Sequence, residues 1–247
     1  MGTLLGGILG GSVLGCSLVV VLVIVLVSPP TAMALRQTPT TTTSGCVTCV
    51  NPGANAVAAS ALAIAAHLTQ CRQPSDPPGY TWDKCYDAGM PAGAVQYWGA
   101  VCPVGTACWP WWQSGALQCV EFVTGAYALA GDELPRAGNA IDFWGLYQGV
   151  AGWAEIAVQD AYRGDTPRGW PQAGDLIVWY EAASPLLGHI AVIVQVQLPA
   201  NGQAGSITYA QANGPAPVQT TLLATDGQVA AYPGSFVVGY IRHVAGH

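Results

Sequence analysis

Between Gly2 and Val27 the chain carries no ionisable side chain, and residues 18–27 read LVVVLVIVLV. At the helical rise of about 1.5 Å per residue, such a run can cross a hydrocarbon core of roughly 30 Å. A buried soluble helix is the alternative, but a one-domain protein rarely needs so long a wholly apolar run. Ser28-Pro29-Pro30 breaks a helix, and Ala32-Met33-Ala34 has the small-x-small form of a signal-peptidase site. The cationic start of a signal peptide is lacking, so residues 1–34 read equally as a retained transmembrane anchor or a cleaved signal segment. Gly7, Gly11 and Gly15 recur every four residues, a stripe that would let a partner membrane helix approach closely. Either reading exports residues 35–247. Residues 35–45 are Thr-rich and lack apolar periodicity, as expected of a linker.

Export sets the redox state of the cysteines. Of the eight Cys, Cys16 lies in the apolar run, and the others are Cys46, Cys49, Cys71, Cys85, Cys102, Cys108 and Cys119. An odd thiol outside the cell is an intermolecular link or a reactive group. The simplest partition joins the first six in disulfides and leaves Cys119 free, with the pairing open. A zinc site from Cys46, Cys49, Cys71 and Cys85 is the rival reading, which an oxidising compartment disfavours.

Residues 46–109 form a Cys- and Trp-rich lobe. Residues 55–70 (NAVAASALAIAAHLTQ) read as a helix whose apolar positions are Val57, Leu62, Ile64 and Leu68, with His67 structural. Trp82, Trp98, Trp109, Trp111 and Trp112 fill a small core or, alternatively, stack on sugar rings or bind a partner. Charged residues make up only 8% of the chain and its net charge is −6, with Lys84 the one lysine, so no basic footprint for nucleic acid exists.

From residue 114 the pattern sharpens. Residues 117–130 carry apolar side chains at helical spacing and stop at Gly131, with Cys119 near the helix start. There, unpaired amides and the positive dipole end favour a thiolate, the nucleophilic form. Residues 171–175 turn into a strand at 176–180, and His189 opens a β-branched strand running to 196. Asn201-Gly202 turns into a strand at 207–211, which ends before Asn213-Gly214, and 236–243 is a last strand. A nucleophile helix followed by an antiparallel sheet is an α+β arrangement of the papain-like kind.

The ordered blocks Gln118-Cys119, Gly138-Asn139-Ala140 with Trp144, Pro171-x-x-Gly174-Asp175 with Trp179, Gly188-His189-Ile190-Ala191-Val192 and Ile207-Thr208-Tyr209 with Asn213 resemble a CHAP domain. The name denotes cysteine, histidine-dependent amidohydrolases/peptidases, relatives of NlpC-type cell-wall hydrolases. The resemblance places a catalytic domain at 110–247. It implies cleavage of an amide bond in peptidoglycan, as a muramoyl-alanine amidase or a peptide endopeptidase, and a place in the cell envelope. Cys119 would be the nucleophile and His189 the general base, with an acyl-enzyme intermediate and no metal or organic cofactor. Backbone amides at the helix start, helped by Gln118, would hold the oxyanion.

One departure stands out. The family often has Glu-x-Asn where this chain has Gln211-Ala212-Asn213. The orienting role falls to Gln211 or Asn213, with Gln211 preferred because it occupies the Glu position, and Gln211→Glu is expected to preserve or raise activity. Each residue alone has a plainer reading: a core thiol, a loop-capping imidazole, a turn. A different class of function, a non-catalytic wall-binding or assembly module, would keep the fold without the chemistry. Asp175 and Asp142 read as turn or helix-start stabilisers, and His243 and His247 have no evident partner in the sequence.

Overall fold

The computed structural model describes residues 52–71, 89–101, 117–132, 134, 138–158, 169–231 and 234–244. The apolar run, the Thr-rich linker, Trp82, Trp109, Trp111, Trp112, His247 and the side chains of Cys46, Cys49, Cys71, Cys85, Cys102 and Cys108 lie outside them. Among the described residues no helix is long and apolar enough to cross a membrane. All of them belong to one compact unit, 46–247.

Among the described residues, three longer helices, α1 (Pro52–Cys71), α2 (Ala92–Val101) and α3 (Cys119–Leu129), then a 3-10 turn (Ala140–Asp142) and a short α4 (Phe143–Leu146), precede six strands. The strands are β1 (Trp153–Ala157), β2 (Leu176–Glu181), β3 (His189–Gln197), β4 (Gly205–Ala210), β5 (Val218–Leu223) and β6 (Ser235–His243). Every pairing is antiparallel, in the order β1-β6-β2-β3-β4-β5. The α+β class is therefore observed, and β1, β5 and α2 are additions to the elements expected from sequence.

Alternation along the strands sorts two cores onto two sheet faces. Leu176, Val178, Ile190, Val192 and Ile241 face the helices, packing with Phe122, Val123 and Ala126 of α3. Ile177, Trp179, Ala191, Ile193, Tyr209 and Tyr240 form the opposite face. The first five residues of β3 are buried on both sides, which is why that segment reads as a nearly continuous apolar run.

The helical lobe is built into the helix-side core. Val57, Ile64, Leu68 and Trp98 are buried in the same cluster as α3. Leu62, expected inside, is 42% exposed; Ala58, Ala61 and Ala65 are buried instead. Small residues on that stripe let α1 approach closely, and Leu62 falls off it. Trp98 of α2 donates from Nε1 to the Glu121 carbonyl of α3 at 2.9 Å. A Cβ at Gly125 would stand 2.4 Å from the Trp98 ring, so the indole seats where α3 has no side chain.

Both acidic residues read as turn stabilisers do that work. Asp142 Oδ2 accepts from the Asn139 amide at 2.8 Å, and Asp175 Oδ2 from the Gln172 amide at 2.8 Å. Asp175 is also gripped by Arg242 of β6, Nε to Oδ1 at 2.8 Å and Nη2 to Oδ2 at 2.7 Å. Burial pushes its carboxyl up from the usual range while Arg242 pulls it back. His243 does have partners: its Nδ1 lies 2.6 Å from Asp132 Oδ2, and its ring stacks on Trp153 at 4.6 Å. Neither contact is local in sequence, so no pattern announced them.

Candidate active site

Cys119 is the first residue of α3, which starts two residues later than the apolar pattern suggested. Gln118 caps the helix with extended backbone (φ −91°, ψ 163°), and its amide donates to Glu121 Oε2 at 2.9 Å. That carboxylate satisfies one of the donors a helix start leaves open. Among the described residues, Cys119 is a free thiol and is buried, at 8% exposure.

His189 opens β3, and the chain reaches it through Gly188 at φ +63°. A Cβ there would lie 2.7 Å from the Trp179 carbonyl and 3.0 Å from Ile141, so only glycine fits the approach. The Ile141 amide donates to the Leu187 carbonyl at 3.0 Å, tying the Gly138-Asn139-Ala140 block to the loop before His189. The imidazole lies beside Trp179, ring centroids 5.5 Å apart, and is 6% exposed.

Ladder geometry brings the sulfur to this strand end. Ile193 directs both its amide and its carbonyl toward the 174–175 turn, each at 2.8 Å. Alternate amides of β3, Ile190 among them, therefore point toward β4. The β3–β4 ladder begins only at Val192↔Ala210, and the Ile190 amide faces the Cys119 thiol instead. Ile190 directly follows His189, so the helix start and the strand start meet.

The third position resolves in favour of Gln211. Its Oε1 lies 2.5 Å from His189 Nε2, and it is 2% exposed. Gln211 Nε2 donates to the Ala216 carbonyl at 3.0 Å and to Gln219 Oε1 at 2.8 Å. With the amide nitrogen turned to two acceptors, its oxygen faces the imidazole. His189 Nε2 must then carry the proton, leaving Nδ1 as the basic lone pair. The backbone closes round this amide: Gln211 N–H donates to the Pro217 carbonyl at 2.9 Å, and a Cβ at Gly214 would stand 2.3 Å from Gln211 Nε2. A glutamate here would set carboxylate oxygen against the Ala216 carbonyl. That reverses the expectation that Gln211→Glu would be harmless, since the surroundings demand a donor.

Asn213 does not meet the imidazole. It stands at φ +57° and donates from Nδ2 to Gln118 Oε1 at 2.7 Å, bridging the β4–β5 turn to the cap of α3. Gln118 thus has its oxygen occupied and its amide nitrogen available to donate.

Burial dominates the electrostatics. It pushes the Cys119 thiol up to about 11, against the amides of Ile190 and Val120 that pull it down. It also lowers His189 from the ordinary imidazole range, opposed by the Gln211 hydrogen bond and the Glu181 charge. The thiolate expected from the helix start alone is therefore not the resting form: the dipole's benefit is smaller than the cost of desolvating the sulfur. A thiol that burial keeps protonated is suited to attack coupled to proton transfer rather than to a preformed thiolate. Gln219 was not singled out from the sequence, and Tyr209 only as part of the Ile207-Thr208-Tyr209 block. Gln219 lies on β5, whose alternating burial is the one local signal for its inward face.

A thiol at a helix start and an imidazole at a strand start, the latter held by a buried amide, make up the candidate site. Residues 109–213 match the family model of the CHAP domain. CHAP domains are generally cysteine- and histidine-dependent amidohydrolases or peptidases. No curated protein and no solved structure matches the chain.

Proposed function

We propose that the chain is an exported peptidoglycan hydrolase, held at the membrane through residues 2–27, that cleaves an amide bond by way of an acyl-enzyme on Cys119. The supporting observation is the His189–Gln211 contact of 2.5 Å, which turns Nδ1 of His189 into the base at the strand end where the Cys119 sulfur sits. His189 takes the thiol proton as sulfur attacks the carbonyl, then protonates the leaving amine, and water releases the acyl group. The amides of Cys119 and Val120 at the helix start, with Gln118 Nε2, would donate to the oxyanion. Tethering would confine cutting to wall near the membrane, and the Gly7, Gly11 and Gly15 stripe offers a seat for a partner membrane helix.

The test is release of new amino groups from purified peptidoglycan. Cys119→Ser is expected to abolish release while near-UV circular dichroism stays native; undiminished release would remove Cys119 from the nucleophile's role.

A second reading, a wall-binding or assembly module without catalysis, is favoured by one observation: Cys119 and His189 are both under a tenth exposed. It predicts that wild-type protein pulls down with peptidoglycan sacculi yet releases no amino groups.

A further inference from the structure

We infer that Gln219 is a positioning residue of this site, acting through Gln211 to fix which nitrogen of His189 holds the proton. The inference rests on the reading of Cys119 and His189 as a nucleophile–base pair. An amide side chain is nearly symmetric in shape, so packing alone leaves Gln211 free to present either oxygen or nitrogen to the imidazole. Its polarity must be imposed by neighbours. The Ala216 carbonyl is one, an acceptor that cannot become a donor. Gln219 Oε1 is the other, at 2.8 Å.

Gln219 is itself an amide, and its oxygen takes a second hydrogen bond one step further out. Tyr209 donates its hydroxyl to the same Gln219 Oε1 at 2.9 Å. Burial raises the Tyr209 phenol above its usual range, so the hydroxyl keeps the proton it gives to this oxygen. Tyr209 and Gln219 face each other as a registered pair across β4 and β5, so the relay is held by the sheet ladder. Read inward, the order of donation is Tyr209 to Gln219, Gln211 to Gln219, and His189 Nε2–H to Gln211.

This chain explains how an amide can stand where the family often has a carboxylate. A carboxylate presents oxygen in every orientation and needs no polarity lock; an amide needs one. Gln219 supplies it from outside the 109–213 family match. Its side-chain oxygen serves Gln211 and Tyr209.

The experiment compares Gln219→Leu and Gln219→Glu in the full chain. Leucine removes the acceptor at similar size; glutamate keeps an acceptor for both Gln211 Nε2 and Tyr209. Two readouts need no peptidoglycan: the rate of Cys119 alkylation by iodoacetamide between pH 5 and pH 9, and the ring N–H signals of ¹⁵N-histidine-labelled protein. Gln219→Leu is expected to slow alkylation about tenfold, a fraction of what a well-placed base contributes, and to shift or split the His189 Nε2–H signal. Gln219→Glu should stay within about twofold of wild type, as a conservative acceptor should. A purely structural role would lower Tm in both variants and leave the per-molecule alkylation profile of folded protein unchanged; that result overturns the inference. Should Gln219→Leu fail to fold, Tyr209→Phe carries the same test through the outer step, and an unchanged His189 signal there overturns it too. Wild-type protein that cuts no peptidoglycan, yet shows slowed alkylation in Gln219→Leu, would defeat the proposed function alone. Equal alkylation of wild type and His189→Ala would defeat the pair and the positioning role together.

Discussion

The two ends of the β2–β3 hairpin bury polar groups in opposite ways. At the start of β2, Asp175 and Arg242 form an ion pair with two hydrogen bonds, further tied to the Trp170 carbonyl by Arg242 Nη2 at 2.7 Å. At the far end, where Trp179 pairs with His189, the buried groups are an imidazole, a thiol and a relay of amides. Charge at the first end is neutralised by a fixed partner, and nothing there need change during a reaction. At the second end, on the proposed function, protons must move, and neutral groups with defined polarity would let a charge appear only in the reacting state. A static ion pair beside the sulfur would instead bias the imidazole permanently.

The comparison breaks most visibly at the ion pair. Asp175→Ala takes the carboxylate away from a largely covered Arg242 and is expected to cost about 3 kcal/mol, read as a fall in Tm. Specific activity of the remaining folded protein should hardly move. Loss of activity without loss of stability would mean that Asp175 belongs to the chemistry after all. The complementary result is expected at the other end: His189→Ala should lower the hydrolytic rate roughly 10²–10⁴-fold while Tm changes little.

Gln211→Glu sharpens the contrast on a smaller scale. With carbonyl oxygen at one of its two outer contacts, the new carboxyl is expected to stay protonated or swing away, lowering the neutral-pH rate about tenfold. A rate equal to wild type would show that the amide relay is dispensable. The pH dependence follows from burial of His189. Its folded pKa is lowered, so the unfolded chain binds the proton more readily; stability from the buried neutral ring is full above the unfolded value of about 6.5 and is lost as pH falls through the folded value. Activity should therefore persist below pH 6.5, with its acid limb displaced downward, which a rate profile between pH 4 and pH 8 will check. The smallest effect is expected at Asn213→Ala, a few-fold loss carried through the freed Gln118 amide and visible in kcat more than in KM.

Much of this site was legible in the sequence because its signals are local. Cys119 before an apolar helix period, His189 after a glycine and before a β-branched run, and Gln211 with Asn213 after a strand all sit in recognisable short patterns. The Cys119 thiol was misjudged as to charge because burial is a tertiary quantity, and the dipole argument considers the helix alone. Strand β5 escaped notice because VQTTLL is a mostly exposed edge with no uniform apolar side, and β1 because WAEIA is short and carries a glutamate. Gln219 went with β5. The division of labour between Gln211 and Asn213 was legible only as a preference for Gln211; that Asn213 reaches Gln118 instead is a contact 95 residues apart in sequence, which no local pattern announces.

Gly125 has a consequence for where such a domain ends. A hole in the surface of α3 is useful only if another part of the chain plugs it, and Trp98 does so from before residue 109. The span that a family profile recognises is then shorter than the unit able to fold. A fragment trimmed to 109–213 would lose that plug as well as β5 and β6, and should populate an expanded, dye-binding state rather than a cooperative native one.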